Sequence, residues 1–229
     1  MLAGRVKMGS ILGVALPNGL VLHLSGKNID LPNLANVSSW QDVSGYGNHM
    51  GTANFGTNPK YNSTNKSVIF NGINNVLALA DSTKLALAES SIFAVAKMSN
   101  AGSGFRGIVV KQFAYGIFFS DNKLTFYDWT GGGINSVSVT SNDNTLKRYE
   151  AHLKSGTTDN KISVNGGNEK VFLYTTANQN SALVLGAGSG DGSSPQHFNG
   201  EINEILIFNH RLVVDDINVV RNYLTSEWG

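Results

Sequence analysis

Short apolar or alternating segments recur along the whole chain, separated by loops of Gly, Asn, Ser and Asp; a helical pattern emerges only after Phe208. The strand-like segments are Leu20–Leu24, Ser67–Phe70, Val76–Ala78, Ser91–Lys97, Gly107–Lys111, Tyr115–Ser120, Lys123–Trp129, Ile134–Thr140, Lys147–Leu153, Lys161–Val164, Glu169–Thr175, Leu183–Leu185 and Glu201–Phe208. β-Branched and aromatic residues concentrate in them, and stretches such as 131–133, 142–144 and 165–167 carry turn chemistry. Asn165-Gly166 is a dipeptide that closes a two-residue hairpin. About a dozen short strands with almost no helix predict an all-β chain: an antiparallel β-sandwich with one short C-terminal helix.

The C-terminal segment FNGEINEILIFNHRLVVDDINVVRNYLTSEWG is the most specific part. Ile205 to Phe208 is apolar at every position, as in a strand covered on both faces. Beyond Asn209-His210-Arg211, the residues Ile217, Val220, Leu224 and Trp228 recur at helical spacing. Asp215 and Asp216 fall in the first turn, where negative charge suits the helix dipole.

Composition narrows the function classes. Charged residues are 14% and hydrophobic residues 41%, so 229 residues suffice for one sandwich with a sizeable core. A formal net charge of +1 without Lys/Arg runs gives no footprint for nucleic acid or an anionic membrane. There is no cysteine, hence no disulfide framework and no thiolate metal site. Arg5 and Lys7 precede the apolar stretch Ile11–Leu16, but Pro17-Asn18-Gly19 interrupts it, so an extended arm is preferred to a signal peptide. The expected division is an N-terminal arm over residues 1–19 and one sandwich domain over 20–229.

Several segments, in order, resemble the concanavalin A-like lectin/glucanase superfamily in its laminin-G-like jelly-roll branch. They are Trp40-Gln41-Asp42-Val43-Ser44-Gly45-Tyr46-Gly47-Asn48, Val68-Ile69-Phe70-Asn71-Gly72, Ser91–Ala96, Ile162–Gly166, Leu185-Gly186-Ala187 and Phe198–Glu204, closing on Tyr223-Leu224 and Trp228-Gly229. The resemblance implies a jelly roll. Asp42-Val43-Ser44-Gly45 reads most simply as a turn with side-chain bonds to nearby backbone, and Trp40 and Trp228 as core anchors.

The superfamily includes glycoside hydrolases, whose strand motif E-x-D-x-E or E-x-D-x-x-E places paired acids on one face. Here Glu201 and Glu204 stand three apart on a strand of period two, so they face opposite ways unless a bulge intervenes. Asn203 also replaces the motif's Asp. The five histidines are isolated, no G-x-S-x-G elbow occurs, and the glycines of 186–192 are not followed by a helix pattern. No enzymatic activity is expected.

Members of this fold lacking the acids resemble carbohydrate-binding or adhesion modules. Along Lys123–Trp129, Leu124 and Phe126 turned to the core would send Tyr127 and Trp129 outward with Asp128 at the rim. Tyr127, Asp128 and Trp129 are therefore the candidate ligand-binding residues. Packing of the rings under a loop or against another subunit is the competing reading. No metal ligands and no cofactor are assigned: related domains bind calcium at loop carboxylates, but Asp121 and Asp191 lack an Asp-rich cluster around them. The expected setting is a bacteriophage virion surface, as a decoration or tail/fibre structural protein contacting capsid or tail proteins, sister subunits and host-surface glycans. A free extracellular carbohydrate-binding or adhesion protein is the alternative, and a glycoside hydrolase the third reading.

Overall fold

The computed structural model describes residues 15–99, 104–121, 123–130, 133–138, 144–176, 180–189 and 196–229. Residues 1–14, which make up most of the expected arm, lie outside them, as do the loops 131–132, 139–143 and 190–195. Among the described residues sixteen strands and one α-helix follow one another: β1 (Leu20–Ser25), β2 (Ser39–Trp40), β3 (Met50–Thr52), β4 (Lys60–Asn62), β5 (Ser67–Asn71), β6 (Leu77–Leu79), β7 (Glu89–Met98), β8 (Arg106–Lys111) and β9 (Tyr115–Ser120). Then come β10 (Lys123–Asp128), β11 (Gly133–Ser138), β12 (Lys147–Lys154), β13 (Thr157–Val164), β14 (Gly167–Tyr174), β15 (Leu183–Leu185), β16 (Asn199–Phe208) and α1 (Val214–Trp228). Each expected strand is present, and β2, β3 and β4 are additional.

The strands form two antiparallel sheets. The first runs β14-β13-β12-β7-β16-β5-β4, with β1 also paired to β16; the second runs β11-β10-β9-β8-β15-β6-β3-β2. Their inner faces share one core, in which Phe119 of the second sheet meets Tyr149 of the first edge-on at 4.8 Å. Phe126 stacks on Phe172 at 5.0 Å. Trp40 is fully buried and its Nε1 donates to Ser25 O, the anchor its sequence context suggested. Asn165 and Gly166 both take positive φ, +54° and +75°, as a tight hairpin between β13 and β14 requires.

The outer face of the first sheet is sealed by α1. Val220, Tyr223 and Leu224 of the helix pack on Phe93 and Val95 of β7 and on Leu206 and Phe208 of β16. This explains why β16 is apolar on both faces: Ile205 and Ile207 enter the shared core, while Leu206 and Phe208 meet the helix. The described part of the arm adds Leu16 to that helix-side cluster.

Past β15 residues 186 and 187 lie flush along β8. Ala187 bridges His197, and a Cβ on Gly107 would stand 2.1 Å from Ala187 O. Only glycine fits there, because the obstacle is backbone. Gly107→Ala is expected to cost about 2 kcal/mol, as overpacking does, read as a shifted midpoint in chemical denaturation; an unchanged midpoint would show that the backbone at Ala187 yields freely.

Candidate ligand-binding face

The outer face of the second sheet carries no helix among the described residues. Alternation along β10 sends Leu124 and Phe126 into the core and Thr125 and Tyr127 to the outer face, with Trp129 just past the strand end. Phe118 of β9, Val110 of β8 and Val184 of β15 continue the apolar row across the sheet, with Val184 in register with both Val110 and Ala78. Phe105, ahead of β8, folds over Phe118 and Tyr127, with ring centroids 5.8 and 5.7 Å away.

Trp129 is the hub of the patch. Its ring lies 5.6 Å from Tyr127, 5.6 Å from Phe118 and 6.5 Å from Phe113. Tyr127 and Trp129 are half-buried, whereas Phe113 is 44% exposed in the β8–β9 turn. Phe113 also holds φ +65°, a region bulky residues rarely enter. Sequence periodicity identified Tyr127 and Trp129; it missed Phe113, whose position depends on the turn. Phe118 was legible, since Gly116 and Phe118 alternate with the core residues Ile117 and Phe119.

Asp128 is not at the rim. It shares the inward parity of Leu124 and Phe126 and is buried, its Oδ1 accepting from Thr130 N at 3.0 Å. Burial raises the pKa of the nearby Tyr174 phenol, a hydrogen bond with Thr176 opposes this, and the Asp128 charge adds to it, giving about 12. Asp128 thus shapes the underside of the patch and does not face a ligand from above.

The parity argument for Glu201 and Glu204 also needs correction, because a bulge does intervene. Ile202 pairs with Ala96 but Glu204 pairs with Val95, so Asn203 is the extra residue and both glutamates turn to the outer face of the first sheet. Each is nevertheless fully engaged. Glu201 pairs with Lys97 at 2.8 Å and accepts from Ser67 Oγ at 2.6 Å and from Asn65 and Asn62. Burial alone would raise its pKa, but Lys97, Ser67 and Asn65 outweigh that and hold it below the ordinary value. Glu204 is 1% exposed beneath α1, where it accepts from Tyr223 Oη at 2.7 Å and from Trp228 Nε1, with His23 Nε2 at 2.6 Å.

The Asp42 carboxylate organises a turn. It accepts from the backbone N–H groups of His23, Ser44 and Asn48 and from Ser44 Oγ, all at 2.8–2.9 Å. Asn48 in turn donates to Val21 O. Asp121 sits at φ +48° in the β9–β10 turn, and Asp191 lies outside the described residues.

The chain matches no family model, and no curated protein matches it. Its fold is similar to that of several solved structures. One is Trypanosoma rangeli sialidase in complex with a difluoro-KDN: TM-score 0.66, 14% identity, covering 100% of this chain and 36% of that one. Another is the binding domain of botulinum neurotoxin DC in complex with SialylT: TM-score 0.64, 17% identity, 90% and 52% covered. A third is domain 4 of an extracellular arabinanase from Geobacillus stearothermophilus, in complex with arabinotriose: TM-score 0.58, 15% identity, 87% and 97% covered. The chain thus spans about a third of the sialidase and about half of the toxin domain. At these identities the likeness defines the β-sandwich fold and nothing narrower.

Proposed function

We propose that this chain is a non-catalytic carbohydrate-binding β-sandwich, and that the patch centred on Trp129 is the surface that stacks on sugar. The carrying observation is the set of rings of Phe113, Tyr127 and Trp129, the first two lying 6.5 and 5.6 Å from Trp129, part-exposed on the sheet face that α1 does not seal. Aromatic rings beside open turns suit the apolar face of a pyranose or furanose, as aromatic anchors do at interfaces generally. The sugar complexes of two similar folds support the reading. The engagement of Glu201 and Glu204 with structural partners supports a role without hydrolysis.

Glycan-array screening followed by calorimetry tests this. Trp129→Ala is expected to weaken binding roughly thirtyfold, about 2 kcal/mol, without a change in folding. An array with no binder, or a ligand that Trp129→Ala does not affect, would refute it. Release of reducing ends, abolished by Glu201→Gln, would make the chain a hydrolase instead. The setting proposed with this function is a bacteriophage surface or tail component; a mass-spectrometric inventory of purified particles that lacks the chain would leave the free extracellular alternative.

A further inference from the structure

Three buried polar atoms near the aromatic patch have no hydrogen-bond partner: Ser189 Oγ, His197 Nδ1 and Arg106 Nε. They belong to one small region. Ala187 bridges His197, Ser189 follows two residues on, and Arg106 Nη1 donates to His197 O at 2.9 Å. Residues opposite each other in an antiparallel pair share a face, and Ala187 packs in the cluster that holds Phe105, Tyr127 and Trp129. His197 therefore projects on the patch side. Phe105 joins the region to the patch, since it touches Tyr127 and directly precedes Arg106.

Orphaned buried polar atoms are costly, and native structures satisfy nearly all of them. All three of these can donate. Arg106 Nε–H can only donate, and a serine hydroxyl can. Burial first, and Arg106 second, hold the His197 pKa below the ordinary histidine value, and either nitrogen of an imidazole can carry a donated proton. Ser189 is 7% exposed and His197 8% exposed, so neither is a freely solvated surface group. The Arg106 guanidinium is also part-buried, and it donates to a backbone carbonyl, with no carboxylate paired to it among the described residues. The three atoms left without a partner all offer donors, and the planar guanidinium edge matches a carboxylate in two-point fashion.

We propose that Arg106, Ser189 and His197 form an acid-recognising subsite beside the aromatic patch, which accepts the carboxylate of an acidic sugar, uronic or sialic. This rests on the carbohydrate-binding reading above. The rings would hold the sugar face and the subsite its carboxylate, so acidic residues would be selected over their neutral counterparts.

Calorimetry with the intact chain tests it, using a glucuronic-acid-containing tetrasaccharide, the same compound as its methyl ester, and sialyllactose. At least one acid is expected to bind tenfold or more tighter than the neutral ester; which acid wins distinguishes the two sources of the carboxylate. Arg106→Gln is expected to reduce the acid to the affinity of the ester while leaving the ester unchanged, and Trp129→Ala to weaken both. Ser189→Ala, the milder variant should Arg106→Gln fold poorly, is expected to weaken the acid about threefold at constant ester affinity. Equal binding of acid and ester, or a preference that survives in Arg106→Gln and in Ser189→Ala, overturns the subsite while leaving the aromatic patch standing. Failure of every sugar to bind overturns both.

Discussion

Glu204→Ala should unfold this protein more readily than any surface change, lowering stability by about 3–5 kcal/mol, the range for removing one partner of a buried charged network. The carboxylate is 1% exposed and sits at the bulge of β16, where the strand changes partners. The half before the bulge pairs with β5, and the half after it pairs with β1. Tyr223 Oη and Trp228 Nε1 reach Glu204 from α1, and His23 Nε2 reaches it from β1. Truncation would leave the buried Tyr223 Oη and the part-buried Trp228 Nε1 and His23 Nε2 facing a void, and a buried orphan costs about 1–3 kcal/mol. For a chain this size the melting temperature should fall roughly 6–20 °C.

The partners of Glu204 predict where the damage appears. Tyr223→Phe removes one donor and should cost about 1 kcal/mol. Because the two residues share a bond, the double variant should be less destabilised than the sum of the singles. Hydrogen exchange should show the amides of α1 opening first in Glu204→Ala, with the shared core of the two sheets still protected. A loss below about 1 kcal/mol, or exchange that is uniform across both sheets, would contradict an anchoring role.

That role was only partly legible in the sequence. The closing strand and helix were readable because apolar residues on both strand faces and a helical stripe follow from burial alone. The facing of Glu204 was not, since it depends on whether Asn203 is paired or bulged, and nothing local to Gly200–Ile205 decides that. Pairing with β7 does. Strands β2 to β4 went unread for a similar reason: at two or three residues each, they are too short for alternation to register, and their partners define them. At the candidate face, period two correctly set Tyr127 and Trp129 outside. Applied without exception it would also have placed Asp128 inside. The polar subsite was the least visible part, because Arg106 and His197 lie far apart in sequence and meet only where the bridged residues Ala187 and His197 lie beside β8.

Acid should loosen the other attachment of the helix. Glu150 of β12 is fully buried on the outer face of the first sheet. Arg221 of α1 forks onto it, with Nη2 at 2.7 Å from Oε2 and Nε within 3.2 Å of both oxygens. Arg148 Nε adds a bond at 2.5 Å, and His152 and Ser163 lie at 3.4 Å. Burial by itself would raise the pKa of Glu150, but hydrogen bonds from His152, Arg221 and Arg148 outweigh it and bring it down from 4.5 to about 2. A carboxylate whose folded pKa lies below its unfolded value stabilises the fold above the unfolded value. That contribution is lost as protons bind on the way down to the folded value. The window here runs from about pH 4.5 down to about pH 2, and the contribution is about 3 kcal/mol. Comparing wild type with Glu150→Gln isolates it from the other acids, because the variant cannot titrate at this position. The stability gap between the two proteins should be constant from pH 7 to pH 5 and then shrink by about 2–3 kcal/mol by pH 2.5. A gap that stays constant across that range would mean that Glu150 titrates normally, and that the Arg148–Glu150–Arg221 cluster does not hold the helix.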